Sequence, residues 1–213
     1  MYNILKDGFD NKNLIVFDFE VVEGLNYYFS RPHQLAWRQI HKDKLIEEKS
    51  TYIKWPTPFN VSADAARIVR YNQSIIDELG RPAEQVFNKF HTVIYNPDNI
   101  IIGHNILSYD VMIFHNSCKK LGLKCDYSFL ERCIDTNALF KIYKLGRTID
   151  SKNFLAEQFN ANNFVRKGLK SNVAFACQEF NIPVDETKSH EALYDTQLES
   201  EIFFKVIQKI NFK

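Results

Sequence analysis

Two carboxylates stand two residues apart in the stretch Leu14-Ile-Val-Phe-Asp-Phe-Glu20, whose other residues are apolar. In an extended chain, residues i and i+2 point to one face, so Asp18 and Glu20 sit side by side. Burying two like charges demands compensation: a shared proton, a basic partner or a divalent cation. Carboxylate oxygens select hard ions such as Mg²⁺ or Mn²⁺. A third acid, Asp110, follows Gly103-His-Asn-Ile-Leu-Ser-Tyr, where a buried strand gives way to a helix. It reads either as a helix-capping acid or as a carboxylate at the C-terminal end of a strand, where sites in such sheets gather. Near the C-terminus, Ser189-His-Glu-Ala-Leu-Tyr-Asp195 places a titratable base ahead of a fourth acid.

Taken together, Asp18, Glu20, Asp110, Asp195 and His190 suit hydrolysis of a phosphodiester by two metal ions. Such sites need several acids, because two dications must be held close together while they stabilise the attacking and leaving oxygens. A neutral imidazole, with an ordinary pKa of about 6.5, can take the proton from an attacking water. The expected cofactor is Mg²⁺ or Mn²⁺, two ions.

The elements that must position these groups are legible in outline. Leu14–Glu20 reads as a central strand buried on both faces. Extended segments around Tyr27–Arg31, Gln34–Ile40 and Ser50–Trp55 would continue it as an antiparallel meander. The prolines in Trp55-Pro-Thr-Pro58 mark a loop. A short helix should start after Ser62, and another should span Arg81–Phe90 with Pro82 in its first turn. Asn99–Ile102 reads as a short buried strand ending at Gly103. Helices are expected at Asp110–Leu121, with Val111, Phe114 and Cys118 on one face, and at Asn137–Tyr143 after a strand end at Cys133–Thr136. Lys170–Phe180 should be helical up to Pro183, and His190–Ile210 should form a long amphipathic helix. Antiparallel strands followed by strands alternating with helices imply an α/β mixed sheet flanked by helices. Nothing resembles a linker, so residues 1–213 are expected to form one domain.

Composition narrows the function classes. The 213 residues carry 27 basic and 26 acidic side chains, a net charge of +1 that gives no general nucleic-acid coat. Contact with phosphates must therefore be local or run through metal ions. Lys141–Lys144, Arg147, Phe164–Lys167 and Lys170 combine basic and aromatic side chains and are candidates for tracking a single strand. Cys118, Cys125, Cys133 and Cys177 lack zinc-site spacing and read as free thiols in a reducing compartment. With no apolar run of membrane-spanning length and no signal-peptide pattern at the start, an intracellular protein is expected. Abundant Lys, Asn, Ile and Phe hint at an AT-rich genome, bacterial or viral.

The segments VFDFE, GHNILSYD and HEALYD resemble, in order and rough separation, the DEDDh (DnaQ-like) 3′–5′ exonuclease family of the ribonuclease H-like superfamily. FNVSADAARIV, CIDTNALF and NVAFACQEFNIPV are also similar to family segments, and the whole match runs from Leu14 to Ile207. The resemblance implies a ribonuclease H-like fold and a 3′–5′ exonuclease releasing nucleoside 5′-monophosphates from single-stranded or mispaired ends. DNA is favoured slightly over RNA, because residues 60–113 look most like proofreading exonucleases of the polymerase III epsilon type. It implies metal ligation by Asp18, Glu20, Asp110 and Asp195, and His190 as general base. Phe19, Val21 and Val22 would line the pocket under the terminal base and sugar, and His104 and Asn105 would position the substrate or the turn before Asp110. A polymerase, or another replication or repair protein, would be the partner. The family often continues its first motif as D-x-E-T-T-G, whereas this chain reads Asp18-Phe-Glu-Val-Val-Glu-Gly24. The readings competing with an exonuclease are a binding module that keeps the fold and an endonuclease of the superfamily. The latter usually lacks the H-x-x-x-x-D ending.

Overall fold

Apolar and β-branched residues at both parities make Leu14–Phe17 a strand with two buried faces, and the sheet is built around it. The computed structural model describes residues 11–22, 30–59 and 61–213. Strand β1 (Asn13–Val21) pairs antiparallel with β2 (Pro32–His41), which pairs antiparallel with β3 (Lys44–Lys54). Helices α1 (Ala63–Ile68) and α2 (Gln73–Leu79) lead to a two-residue edge strand β4 (Arg81–Pro82) and helix α3 (Ala83–Tyr95). Strand β5 (Asn99–Gly103) runs parallel to β1, and helix α4 (Asp110–Lys120) follows it. Strand β6 (Cys133–Asp135) adds to β5 in parallel and runs straight into α5 (Thr136–Lys144). The chain finishes with β7 (Thr148–Ile149), α6 (Phe154–Asn163), α7 (Val173–Phe180), α8 (Ala192–Ile207) and β8 (Asn211–Phe212), the last paired with β7. The main sheet has the order β4-β3-β2-β1-β5-β6. This is the expected mixed sheet, of ribonuclease H-like type, with antiparallel strands on one side and parallel strands on the other.

Alternation along β1 assigns its side chains to two cores. Leu14 and Val16 pack with Ile100, Ile102, Leu198, Ile202 and Phe203. Ile15, Phe17 and Phe19 pack on the opposite face with Phe87, Phe90, Val111 and Phe114. Asp18 and Glu20 continue the even-numbered row, so they lie on the face that α8 covers. A bulge after Glu20, where Val21 pairs with Pro32, ends the regular register.

Several expectations shift in detail. Lys42 (φ 49°) and Asp43 (φ 59°) form a two-residue turn with both residues left-handed, so β3 begins at Lys44 rather than Ser50. Residues 27–29 of the expected extra strand lie outside the described residues, as do Glu23, Gly24, Asn60 and the first ten residues, while Arg31 is not in a strand. Helices α2 and α6 were not anticipated. The expected 170–180 helix starts at Val173, because the Asn172 side chain caps it by accepting from Phe175 N. The last helix starts at Ala192, because His190 is left-handed (φ 63°) and cannot continue a right-handed turn. All four cysteines are free, and Cys118, Cys133 and Cys177 are buried as expected. Among the described residues no helix is long and apolar enough to cross a membrane.

Candidate active site

Strand ends and helix starts converge on one cleft of about 600 Å³, lined by Asp18, Glu20, His104, Asn105, His190, Asp195 and Glu199 among others. Strand β1 delivers Asp18 and Glu20 from its C-terminal end. The link from β5 delivers Asp110: Gly103 ends the strand where a Cβ would stand 2.1 Å from Ile106 Cγ2, so only glycine fits. Asp110 opens α4 and is buried, not among the residues lining the cleft; its Oδ1 accepts from Phe19 N at 3.2 Å, which ties the third acid to the strand bearing the first two. Helix α8 delivers Asp195 in its first turn, with Asp195 Oδ2 accepting from His190 N at 3.1 Å. One ligand atom each of Glu20, His190 and Asp195 lie within 4.8 Å of one another.

The electrostatics follow from crowding these acids under an apolar sheet. Burial, then the like charges of Glu20, Glu199, Asp110 and Asp195, push the Asp18 carboxyl well above the usual range. Burial and the charge of Asp195 push Glu20 up to about 8, against a small opposing pull from Arg70. Burial pushes Asp110 up to about 7 despite the bond from Phe19 N. Asp195 is also raised by burial, partly offset by His190. The close approach of the Glu20 and Asp195 side chains raises the first and lowers the second. The set behaves as one that wants positive charge.

Other predicted residues take different places. Phe19 lines the cleft, but its ring faces away, packed 5.8 Å from Phe87 and 5.9 Å from Phe90 between centroids. Val22 is buried and Val21 packs against the same aromatic core; neither is among the residues lining the cleft. His104 lines the cleft with both ring nitrogens engaged, Nε2 with Ser171 O at 2.7 Å and Nδ1 with Thr136 Oγ1 at 2.9 Å. Its visible work is to hold the 169–172 loop. Asn105 is left-handed (φ 66°) and donates its N–H to Asp135 Oδ1 at 2.9 Å. Asp135 itself is fully buried and accepts from the backbone of Asn105, Leu107, Asn137 and Ala138 and from Asn162 Nδ2, so it clamps the loop before Asp110 onto α5. In the basic region, Lys144 pairs with Glu179, Arg147 with Glu157, and Lys141 bonds the Asn162 carbonyl. Arg166, Lys167 and Lys170 are exposed.

Two groups at the site were not anticipated. Glu199, one turn beyond Asp195, is 3% exposed and lines the cleft. The i, i+4 spacing on an expected helix was the available signal. Arg70, left-handed at φ 51°, pairs with Glu191 Oε1 at 2.6 Å and bonds the Thr187 carbonyl. It thereby grips the segment that carries His190. No local pattern marks that long-range contact.

A family model described as Exonuclease, of the RNase T type, matches residues 15–203. The chain belongs to the exonuclease family. Its motifs are those of the DEDDh, DnaQ-like group. E. coli exonuclease I in complex with a dT13 oligonucleotide is similar at a TM-score of 0.68 and 16% identity, over 93% of this chain and 41% of that one. The same enzyme with a dA16 oligonucleotide gives 0.70 and 15%, over 93% and 41%. An ExoI/SSB-Ct complex gives 0.68 and 14%, over 92% and 41%. At these identities the likeness establishes the exonuclease fold, and the chain spans about two-fifths of those proteins' length. A search of curated protein sequences finds no significant match.

Proposed function

We propose that this exonuclease-family chain hydrolyses phosphodiester bonds at nucleic-acid 3′ ends and releases nucleoside 5′-monophosphates, acting as one nuclease domain. The observation that carries this reading is the convergence of Glu20, His190 and Asp195 within 4.8 Å in the cleft that Asp18 also lines. The donor set fits two hard divalent cations, Mg²⁺ or Mn²⁺, because it is oxygen-rich and crowded. Asp18, Glu20, Asp110 and Asp195 would hold these ions. When bound, they supply positive charge to the attacking and leaving oxygens.

His190 stands at the rim, exposed, on a segment gripped by Arg70 and by the Tyr194 hydroxyl, which accepts from Asp185 N at 2.6 Å. From there its imidazole takes the proton of the attacking water, and the bond from His190 N to Asp195 fixes the base relative to the acids. Single-stranded DNA is the favoured substrate, supported by the oligonucleotide complexes of exonuclease I; an RNA 3′ end is the alternative. The ExoI/SSB-Ct complex supports a replication or repair protein as partner.

The test uses 5′-labelled single-stranded DNA and RNA of equal sequence with Mg²⁺, Mn²⁺ or EDTA. A metal-dependent ladder shortening from the 3′ end is expected. His190→Ala should lower turnover roughly 10²–10⁴-fold while Mn²⁺ affinity stays near wild type. Loss of Mn²⁺ binding in that variant would make His190 a ligand instead. Cleavage of a circular single strand would point to an endonuclease, and intact substrate with binding retained would point to a binding module.

A further inference from the structure

The DEDDh pattern uses four acids, and this cleft holds a fifth. Glu199 follows Asp195 by four residues on α8, which puts both on one helix face. Its side chain is 3% exposed and lines the same cleft as Asp18, Glu20, His190 and Asp195. The backbone N–H of His104 lies on the side of its carboxylate and favours the charged form. Its Oε2 is buried and, among the described residues, has no hydrogen-bond partner. The strongest charges acting on it are those of other acids, Asp110, Asp195 and Asp135. Asp18 in turn feels Glu199 more strongly than it feels Asp110 or Asp195.

A buried carboxylate oxygen without a donor, among like charges, is strongly disfavoured, and buried polar atoms in folded proteins are nearly always paired. An ordinary core position would carry an apolar residue here, as Leu198 and Ile202 do on either side of it in the same helix. Glu199 has instead a long acidic side chain whose buried Oε2 is left for a ligand. A neighbouring cation is the partner that satisfies both the bare oxygen and the surrounding acids.

We propose that Glu199 is a fifth cation-holding carboxylate of the cleft, raising its affinity for divalent ions beyond what Asp18, Glu20, Asp110 and Asp195 provide. This rests on the nuclease reading for the nature of the ions. In this exonuclease α8 supplies two acids to the cation site, one turn apart.

Metal-stripped full-length protein would be titrated with MnCl₂ by calorimetry, with bound Mn²⁺ counted by electron paramagnetic resonance. Glu199→Gln keeps the shape but removes the charge. It should weaken Mn²⁺ binding roughly 10- to 100-fold, or lose one bound ion. Affinity and stoichiometry equal to wild type would overturn the proposal and leave Glu199 a protonated packing group. If Glu199→Gln fails to fold by circular dichroism, Glu199→Asp replaces it: shortened reach should give weaker binding, and unchanged binding would overturn the proposal. Asp195→Asn serves as control. Weakened binding there but not in Glu199→Gln removes only the fifth acid. Absence of Mn²⁺ binding in wild type removes the metal-nuclease reading and this proposal with it.

Discussion

Asp135 illustrates how a carboxylate can dominate a site without touching its chemistry. It accepts four backbone N–H groups and one side-chain amide, all pointing at two oxygens with no exposure to water. Two of those donors, Asn105 N and Leu107 N, belong to the turn that carries the chain from Gly103 to Asp110. Replacing one oxygen by an NH₂ group sets donor against donor and strands buried N–H groups, each costing about 1–3 kcal/mol. Asp135→Asn should therefore lose about 2–4 kcal/mol in urea unfolding. Its kcat should also fall, because Asp110 loses its mount. A change below about 0.5 kcal/mol would show that water replaces the lost acceptor. These hydrogen bonds make Asp135 a structural acid of the D-T pair.

Among elements, the segment from Asp185 to Glu191 decides where His190 stands. It begins with Asp185 accepting from Thr187 N, makes one tight turn, and ends with His190 left-handed. Arg70, from the link between α1 and α2, holds it at Glu191 and at the Thr187 carbonyl. The pair is exposed, so its contribution to global stability is small. With His190 as the proposed base, the effect should appear in catalysis, since a displaced base loses alignment with its water. Arg70→Ala is expected to lower kcat roughly 10- to 100-fold with little change in melting temperature, and Arg70→Lys should recover only part of it. Equal kcat in wild type and Arg70→Ala would show that α8 alone sets the loop.

For the whole molecule, the acid cluster sets how stability depends on pH. Glu20 titrates at about 8 and Asp110 at about 7, with Asp18, Asp195 and Glu199 also raised, in each case first by burial. Unfolded carboxylates titrate at about 4. Between these values the folded state holds more protons than the unfolded state, so stability falls as pH rises. The contribution is whole below about pH 4 and is lost as pH passes through 7 to 8. In EDTA, scanning calorimetry should show the melting temperature dropping between pH 5.5 and 8.5, and Mn²⁺ should flatten that slope by replacing the protons. A flat profile in EDTA would mean the acids are solvated rather than buried.

Local physics alone settles part of this protein. The period of two along a strand puts Asp18 and Glu20 on one face, a five-residue spacing puts His190 just ahead of the helix bearing Asp195, and Gly103 marks a turn too tight for a side chain. These relations involve neighbours in the chain, so their geometry is carried by the backbone itself. Other features exist only because distant segments meet. The ring of Phe19 turns away because β1 has a second buried face built from α3 and α4. Val21 continues the odd-numbered row of β1 into that same second core, and Val22 is buried outside the cleft. Helix α6 escapes notice because its buried residues, Phe154, Gln158 and Ala161, include a polar one whose side chain serves Asp135 N and the Cys133 carbonyl. Arg70 and Glu199 acquire their roles from partners far away in sequence, and tertiary packing alone makes an ordinary arginine a clamp and a helix glutamate a bare oxygen among acids.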